Sequence, residues 1–409
     1  MNEALIGIVS LLVLDILLRI WLILSNLKWL EKPVPAVLSG VYTHGVYRRS
    51  QLYQRSSLWV SLLSQLAICT LVLILILGGY VHKIDLLLQQ YFSNEYILGV
   101  SFFVVIGALF QLVRNTFEGY QQLIIYKRFG FKNNLGTVFR GFSLKALLAL
   151  VFGSMAFWFL MLSFNWLGTN FWAASWLLFG LIYLLYNYIN QRLVSIIRNR
   201  NYVLLPEDLR LSLVKKLKMH QIAIEQILVR KNNLMDDAQP ASIIGWGSRV
   251  RIILSEKALK MLDVAEITAI VAHEGSHNKR NHFFELVISN LIQLGLLLLI
   301  LWLSLSQPFL QQAFGAVDYS LHLGLFIFVI LYSPVTLIIN ALINRLSRHL
   351  ERQADDDVKE IGLAAELVSA LKKLAAEELK NMTPHPAYVA FYYSHPALLE
   401  RIKRLQKNR

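Results

Sequence analysis

His273-Glu274-Gly275-Ser276-His277 sets two histidines four residues apart at the end of a run that is largely apolar from Val264 onward. Residues at i and i+4 share one face of a helix, so two imidazole nitrogens can converge on a single metal ion. Glu274 falls beside that face, where it can act as a base on water. The segment therefore matches the H-E-x-x-H pattern of helix-borne zinc sites. The helix itself is readable. Asp263 with Glu266 three residues later forms a capping-box start, and the apolar pattern carries the helix from Val264 to about Lys279.

The segments just upstream read as a small folded domain. A helix begins near Pro206-Glu207-Asp208 and continues through Leu211, Leu213, Val214 and Leu217. Two extended stretches follow, Ala241-Ser242-Ile243-Ile244-Gly245-Trp246-Gly247 and Val250-Arg251-Ile252-Ile253-Leu254, joined by a short Gly-Ser turn that predicts a β-hairpin. Ser255 is placed to cap a short helix after them.

Composition assigns most of the remaining chain to lipid. The 409 residues are 56% hydrophobic and 16% charged, with a mean hydropathy of +0.50, whereas soluble domains average about 25% charged. Seven segments are long and apolar enough to span a bilayer, at roughly 4–26, 58–81, 96–113, 143–165, 171–190, 284–306 and 323–343. The N-terminal run shows no cleavage pattern and reads as a retained helix. The single cysteine, Cys69, excludes an intramolecular disulfide and argues against a thiolate metal site. The net charge of +14 reads as basic loops rather than as a nucleic-acid surface.

Those loops predict an orientation. Residues 27–57 carry Lys28, Lys32, Arg48, Arg49 and Arg55 against Glu31, and 114–142 carry Arg114, Lys127, Arg128, Lys132 and Arg140 against Glu118. The alternate loops hold Lys83 offset by Asp85 and Glu95, and Asp318 alone. Positive loops face the cytoplasm, so 192–282 and 344–409 share that side. The expected organisation is transmembrane helices 1–5 in 1–191, a cytoplasmic catalytic segment in 192–282, transmembrane helices 6–7 in 283–343 and a cytoplasmic segment in 344–409. The fold class is mainly α, a polytopic membrane bundle with a cytoplasmic zincin-like domain containing a small β-hairpin or sheet. The membrane itself is either a bacterial inner membrane or the endoplasmic reticulum.

A third ligand is then sought in 344–409, and Ser347-Arg348-His349-Leu350-Glu351-Arg352-Gln353-Ala354-Asp355 supplies one. Glu351 completes a two-histidine, one-carboxylate set with an open fourth position. Asp355, four residues on, shares its helical face and can hold a ligating imidazole from behind. His282 and His349 are expected to be solvated or interfacial. Asp15, Arg19 and Glu285 lie near span ends or face a polar interior. The helix expected over 360–380 reads as an ordinary packing helix.

Together with Ser394-His395-Pro396-Ala397-Leu398-Leu399-Glu400-Arg401-Ile402, these motifs resemble the integral-membrane CAAX prenyl protease type I family and its bacterial heat-shock membrane metalloprotease relatives. The resemblance covers about 200–409. Before that it rests on the number of spans and on Val46-Tyr47-Arg48-Arg49-Ser50-Gln51-Leu52-Tyr53. It implies a Zn2+ endopeptidase with His273, His277 and Glu351 as ligands, Glu274 as catalytic base and Asp355 behind the ligands. His395 and Arg401 would hold substrate or the oxyanion. Three positions depart from the family pattern: Pro240 where an asparagine is usual, Ser276 where glycine is commoner, and Asp356-Asp357 where the family turns apolar.

The expected partners are a peptide or protein substrate and the bilayer. Substrates are either prenylated C-terminal peptides or misfolded membrane proteins, and oligomeric state is not legible. The rival reading is an inactive membrane scaffold or holdase. A transporter does not need paired zinc ligands. An intramembrane site-2 protease would bury the motif within a span, whereas Asn278-Lys279-Arg280-Asn281-His282 follows it here.

Overall fold

The structure, a computed structural model, describes residues 3–33, 35–38, 44–131, 135–197, 202–219, 226–230, 241–244, 251–315 and 320–407. Among them seven helices are long and apolar enough to cross a membrane. The long helices in the first part are α1 (Glu3–Trp29), α2 (His44–Leu77), α4 (Glu95–Tyr120), α6 (Leu135–Leu167) and α7 (Phe171–Ile197). The shorter α3 (Tyr80–Gln89) links α2 to α4, and a π-helical turn joins α4 to the one-turn α5 (Tyr126–Arg128). After a segment holding the small sheet come α11 (His282–Ser306), α12 (Pro308–Gln312) and α13 (Leu321–Glu360).

Two compact units arise, each drawn from three stretches of chain. The first, Met1–Leu27 with Arg55–Gly180 and Leu291–Ile339, holds most of the apolar helix length. Leu112, Phe152 and Leu177 are more than 60% exposed on its surface, a disposition that lipid tolerates and water does not. Phe102, Leu323, Phe326 and Ile327 form one interior cluster, and Phe157, Phe171, Leu298 and Leu301 another. Gly99 is required where α4 meets α6, because a Cβ there would lie 2.2 Å from the Phe157 ring.

The buried charges Asp15 and Asp85 inside this unit are paired, as low-polarity surroundings demand. Arg19 Nε donates to Asp15 at 3.0 Å, and Arg19 Nη2 donates to the Ser333 carbonyl at 3.2 Å, beside the helix-breaking Pro334. His322 Nε2 lies 2.7 Å from Asp85, which also accepts from Gln89 Nε2 at 3.0 Å. Asp85 and Lys83, read from the sequence as loop charges, thus sit on α3, a helix that the count of spans did not anticipate.

The second unit, Lys28–Gln54 with Leu181–Asn290 and Asn340–Arg409, contains β1 (Tyr202–Leu204), α8 (Glu207–Met219), β2 (Gln226–Arg230), β3 (Ala241–Ile244) and β4 (Arg251–Ser255). Among the described residues these strands make one mixed sheet in the order β1-β2-β4-β3. β3 and β4 pair antiparallel, Ala241 opposite Leu254 and Ile243 opposite Ile252, as a hairpin requires. β2 pairs parallel with β4, and β3 is left at the edge. Gly245, Trp246, Gly247 and Val250 lie outside the described residues.

Next come α9 (Glu256–Met261) and α10 (Val264–Lys279), both capped as expected. Ser255 Oγ accepts from Ala258 N at 3.0 Å. Asp263 accepts from Ala265 N and Glu266 N, and Glu266 Oε2 accepts in return from Asp263 N at 2.9 Å. α14 (Ala364–Glu377), α15 (Pro386–Tyr392) and α16 (Leu398–Gln406) complete the unit. α14 is a packing helix: Leu367, Val368 and Leu374 join Ile267, Ile270 and Val271 of α10 and Ile252 and Leu254 of β4 in one core.

Candidate active site

α10 carries His273, Glu274 and His277, and burying its other residues against the sheet and α14 fixes which way they face. α13 brings Glu351 and Asp355 alongside. His273 Nε2 lies 3.4 Å from His277 Nε2 and 3.3 Å from Glu351 Oε2, and His277 Nε2 lies 3.4 Å from Glu351 Oε1. Donors bound tetrahedrally at about 2.0–2.1 Å sit roughly 3.3–3.4 Å apart, and the three residues, whose ligand atoms all lie within 4.8 Å of one another, come close to that spacing. Glu351 Oε2 is buried and has no hydrogen-bond partner among the described residues, the state expected of an oxygen shaped for a cation. Among the described residues no other group of three His, Cys, Asp or Glu side chains meets this test.

Each histidine is also held from its far side. His273 Nδ1 is 3.1 Å from Asp355 Oδ1, close but not aligned for a full hydrogen bond. Burial opposes charge on His273, yet the Asp355 and Glu351 carboxylates beside it raise its pKa to about 9. His277 Nδ1 meets His282 Nδ1 at 2.9 Å, and His282 Nε2 meets Gln353 Oε1 at 3.0 Å. His282 is therefore not solvated, contrary to the expectation from its polar neighbours: it is 1% exposed and belongs to the site. His349 is exposed, as expected.

Arg401 of α16 approaches from the other side. Its Nε and Nη2 donate to the two oxygens of Asp355 at 2.9 and 2.7 Å, and its Nη1 lies 3.7 Å from Glu351 Oε2. Two of its three nitrogens are thus committed to bracing Asp355. His395 Nε2 stands 3.4 Å from Glu351 Oε1, on a side chain that is 57% exposed. Burial raises the Glu274 carboxyl, only partly countered by the neighbouring His273 and His277.

A cavity of about 830 Å³ opens onto this cluster. Its walls include Ala241 and Ser242 of β3, Ile270 of α10, Leu371 and Leu374 of α14, and the Tyr392–Ala397 segment. The helix α15 that leads into that segment is held by α13: Arg348 Nη1 donates to the Val389 carbonyl at 2.9 Å and Nη2 to that of Ala390 at 3.3 Å, while Asn344 Nδ2 donates to the Phe391 carbonyl at 2.8 Å. Arg348 and Gln353 both stand in the run that supplies Glu351, where sequence assigns neither a role. Neither could be found from spacing alone, because their partners are more than 40 residues distant. Pro240 lies outside the described residues. The other two departures meet one another: Ser276 Oγ donates to Asp357, which also accepts from Arg280 Nε at 2.8 Å. Asp356 is taken by Arg404 at 2.6 Å.

Two family models divide the chain between them. One, described as CAAX prenyl protease N-terminal, five membrane helices, matches residues 24–195; the other, Peptidase family M48, matches residues 214–409. The chain belongs to peptidase family M48. This M48 peptidase is 29% identical over 394 residues to a CAAX prenyl protease 1 homolog of Dictyostelium discoideum, a match covering 93% of the chain and 91% of that relative. It is 26% identical over 323 residues to the Arabidopsis thaliana homolog, covering 76% and 74%. The crystal structure of S. mikatae Ste24p has the same fold, with a TM-score of 0.85 over 99% of both chains at 19% identity. Family M48 membership makes the chain a peptidase-family protein, and its described residues include a His-His-Glu group that could hold a metal. Its seven apolar helices and the membrane-domain match make it a multi-pass membrane protein.

Proposed function

We propose that the chain is a zinc endopeptidase that cuts C-terminal CAAX-type peptides on the cytoplasmic side of its membrane. The observation that carries the reading is the convergence of His273, His277 and Glu351 on one point with Glu274 in the same cavity. The cytoplasmic assignment is supported by the basic loops at 27–57 and 114–142, and the substrate class by the names of the relatives.

Zinc, when bound, supplies Lewis acidity and brings water close to deprotonation at neutral pH. The chain's own residues then divide the work. An extended substrate adds along the outer edge of β3, with Ala241 and Ser242 at the cavity wall. Glu274 removes a proton from the attacking water and delivers it to the leaving amine. Its elevated pKa suits both halves of that exchange. His395, at the cavity wall 3.4 Å from Glu351 Oε1, donates an N–H to the developing oxyanion. Arg401 contributes chiefly through Asp355, which it fixes behind His273.

The test is zinc content and peptide cleavage on detergent-purified protein, comparing wild type, Glu351→Ala and Glu274→Gln. Glu351→Ala is expected to lose both. Glu274→Gln is expected to keep about one zinc per chain and lose turnover by more than about 100-fold, the scale of general acid–base catalysis. Full activity in Glu274→Gln, or no zinc in gently purified wild type, would sink the reading.

A further inference from the structure

We propose that His282 and Gln353 form a hydrogen-bond relay that fixes the tautomer of His277 and thereby sets the metal affinity of the site. The inference rests on His277 being a metal ligand, as argued above, and concerns residues to which no role has been given.

The direction of the relay follows from what each atom can do. Gln353 Oε1 can only accept, so the proton in its 3.0 Å contact is on His282 Nε2. A neutral imidazole with Nε2–H has a bare lone pair on Nδ1. That lone pair lies 2.9 Å from His277 Nδ1, which must therefore donate. With its proton on Nδ1, His277 presents an unprotonated Nε2 toward His273 and Glu351, at 3.4 Å from each. The reverse order would leave a proton on Nε2, pointing at the position the ion must occupy. A ligand histidine needs its outer nitrogen held in just this sense.

The bland alternative is that His282 merely packs at the junction of α10 and α11. The local backbone argues against it. Asn281 adopts a left-handed conformation, φ 59°, that asparagine tolerates better than most residues. It ends α10 and restarts the chain as α11, which turns the His282 ring back onto His277, with ring centroids 5.0 Å apart at 75°. Gln353 is two residues beyond Glu351 on α13, so one helix supplies the carboxylate ligand and the terminus of the relay. His273 is held by a charged group, Asp355, and His277 by a neutral pair.

The experiment measures zinc affinity of the full-length protein in detergent by competition with a chromophoric chelator. Thermal unfolding of the metal-free protein is read alongside. Gln353→Leu and His282→Leu, on different helices, are each expected to weaken zinc by about 10–100-fold. Gln353→Glu, whose carboxylate also only accepts, is expected to stay within about threefold of wild type. That rescue, with Gln353→Leu melting like wild type, separates tautomer control from packing. Unchanged affinity in either leucine variant overturns the relay, as does a Gln353→Glu variant as weak as Gln353→Leu. Wild-type affinity in Glu351→Ala overturns the ligand assignment itself, and the relay with it.

Discussion

Asp355 does two things that a pair of variants can separate. The residue has no exposed surface, accepts both Nε and Nη2 of Arg401, and lies 3.1 Å behind His273 Nδ1. Asp355→Ala leaves a buried guanidinium whose nearest remaining carboxylate, Glu351, is 3.7 Å from Nη1. Removing one member of a buried ion pair costs about 3–5 kcal/mol. For a unit of roughly 200 residues that lowers the melting temperature on the order of 10 °C. Loss of the carboxylate behind His273 weakens the metal by about 10–100-fold. In Asp355→Leu/Arg401→Met no charge is left uncompensated, and apolar replacement of a buried pair is neutral or stabilising. The double variant is therefore expected to melt within a few degrees of wild type while its zinc affinity stays about 10–100-fold down. Melting of the chelator-treated protein and chelator competition read the two quantities independently. Recovery of zinc affinity together with stability would refute a direct role behind His273. A single Asp355→Ala variant that melts with wild type would refute the buried pair.

Further outcomes follow from other parts of the chain. Because the His273 pKa is raised to about 9, zinc must displace its proton at neutral pH; apparent affinity should rise about tenfold per pH unit between 7 and 9 and then level. Calorimetry at pH 7 in buffers of different ionisation enthalpy should register that proton, and identical heats would count against it. Ser276→Ala should cost about 1–2 kcal/mol by removing the bond to Asp357, a loss of a few degrees in melting with zinc content unchanged; a fall in zinc content would instead tie Ser276 to the metal. Gly99→Ala forces a methyl into the Phe157 ring and should cost about 1–3 kcal/mol. Adding Phe157→Leu should recover part of it, and simple additivity of the two losses would mean the contact is not there.

What could be read from sequence was whatever is local. The caps at Ser255 and Asp263 and the limits of α10 depend on residues within a few positions of one another, and the β3–β4 pairing is contained in the short stretch from Ala241 to Leu254. β1 and β2 escaped notice because three- and five-residue strands carry little pattern, and the parallel pairing of β2 with β4 is set by tertiary contact. The seventh span was expected to end near 343, where apolarity ends, and the helix that carries it is α13. It continues to Glu360 because Arg348, Arg352, Asp355 and Asp356 exchange lipid for polar partners without leaving the helix. The pairing of His273 with His277 was legible because i,i+4 spacing is a geometric statement, whereas Glu351, remote in sequence, was named through its own i,i+4 relation to Asp355 and the family resemblance. His282 was not legible, because its meaning depends on Gln353, 71 residues away.

The way α13 is anchored explains why one helix can bear so much of the site. The candidate metal group takes His273 and His277 from α10 and Glu351 from α13, so the separations among the three depend on how the two helices are fixed together. Asp357 ties α13 to the end of α10 through Arg280 and Ser276. On successive turns, Arg352, Asp355 and Asp356 tie it to Glu400, Arg401 and Arg404 of α16. Arg348 and Asn344 grip the α15 carbonyls that lead to His395. Ser276 and Asp357, two of the departures from the family pattern, thus meet in one polar contact at the α10–α13 junction, and that junction governs the spacing of His277 and Glu351.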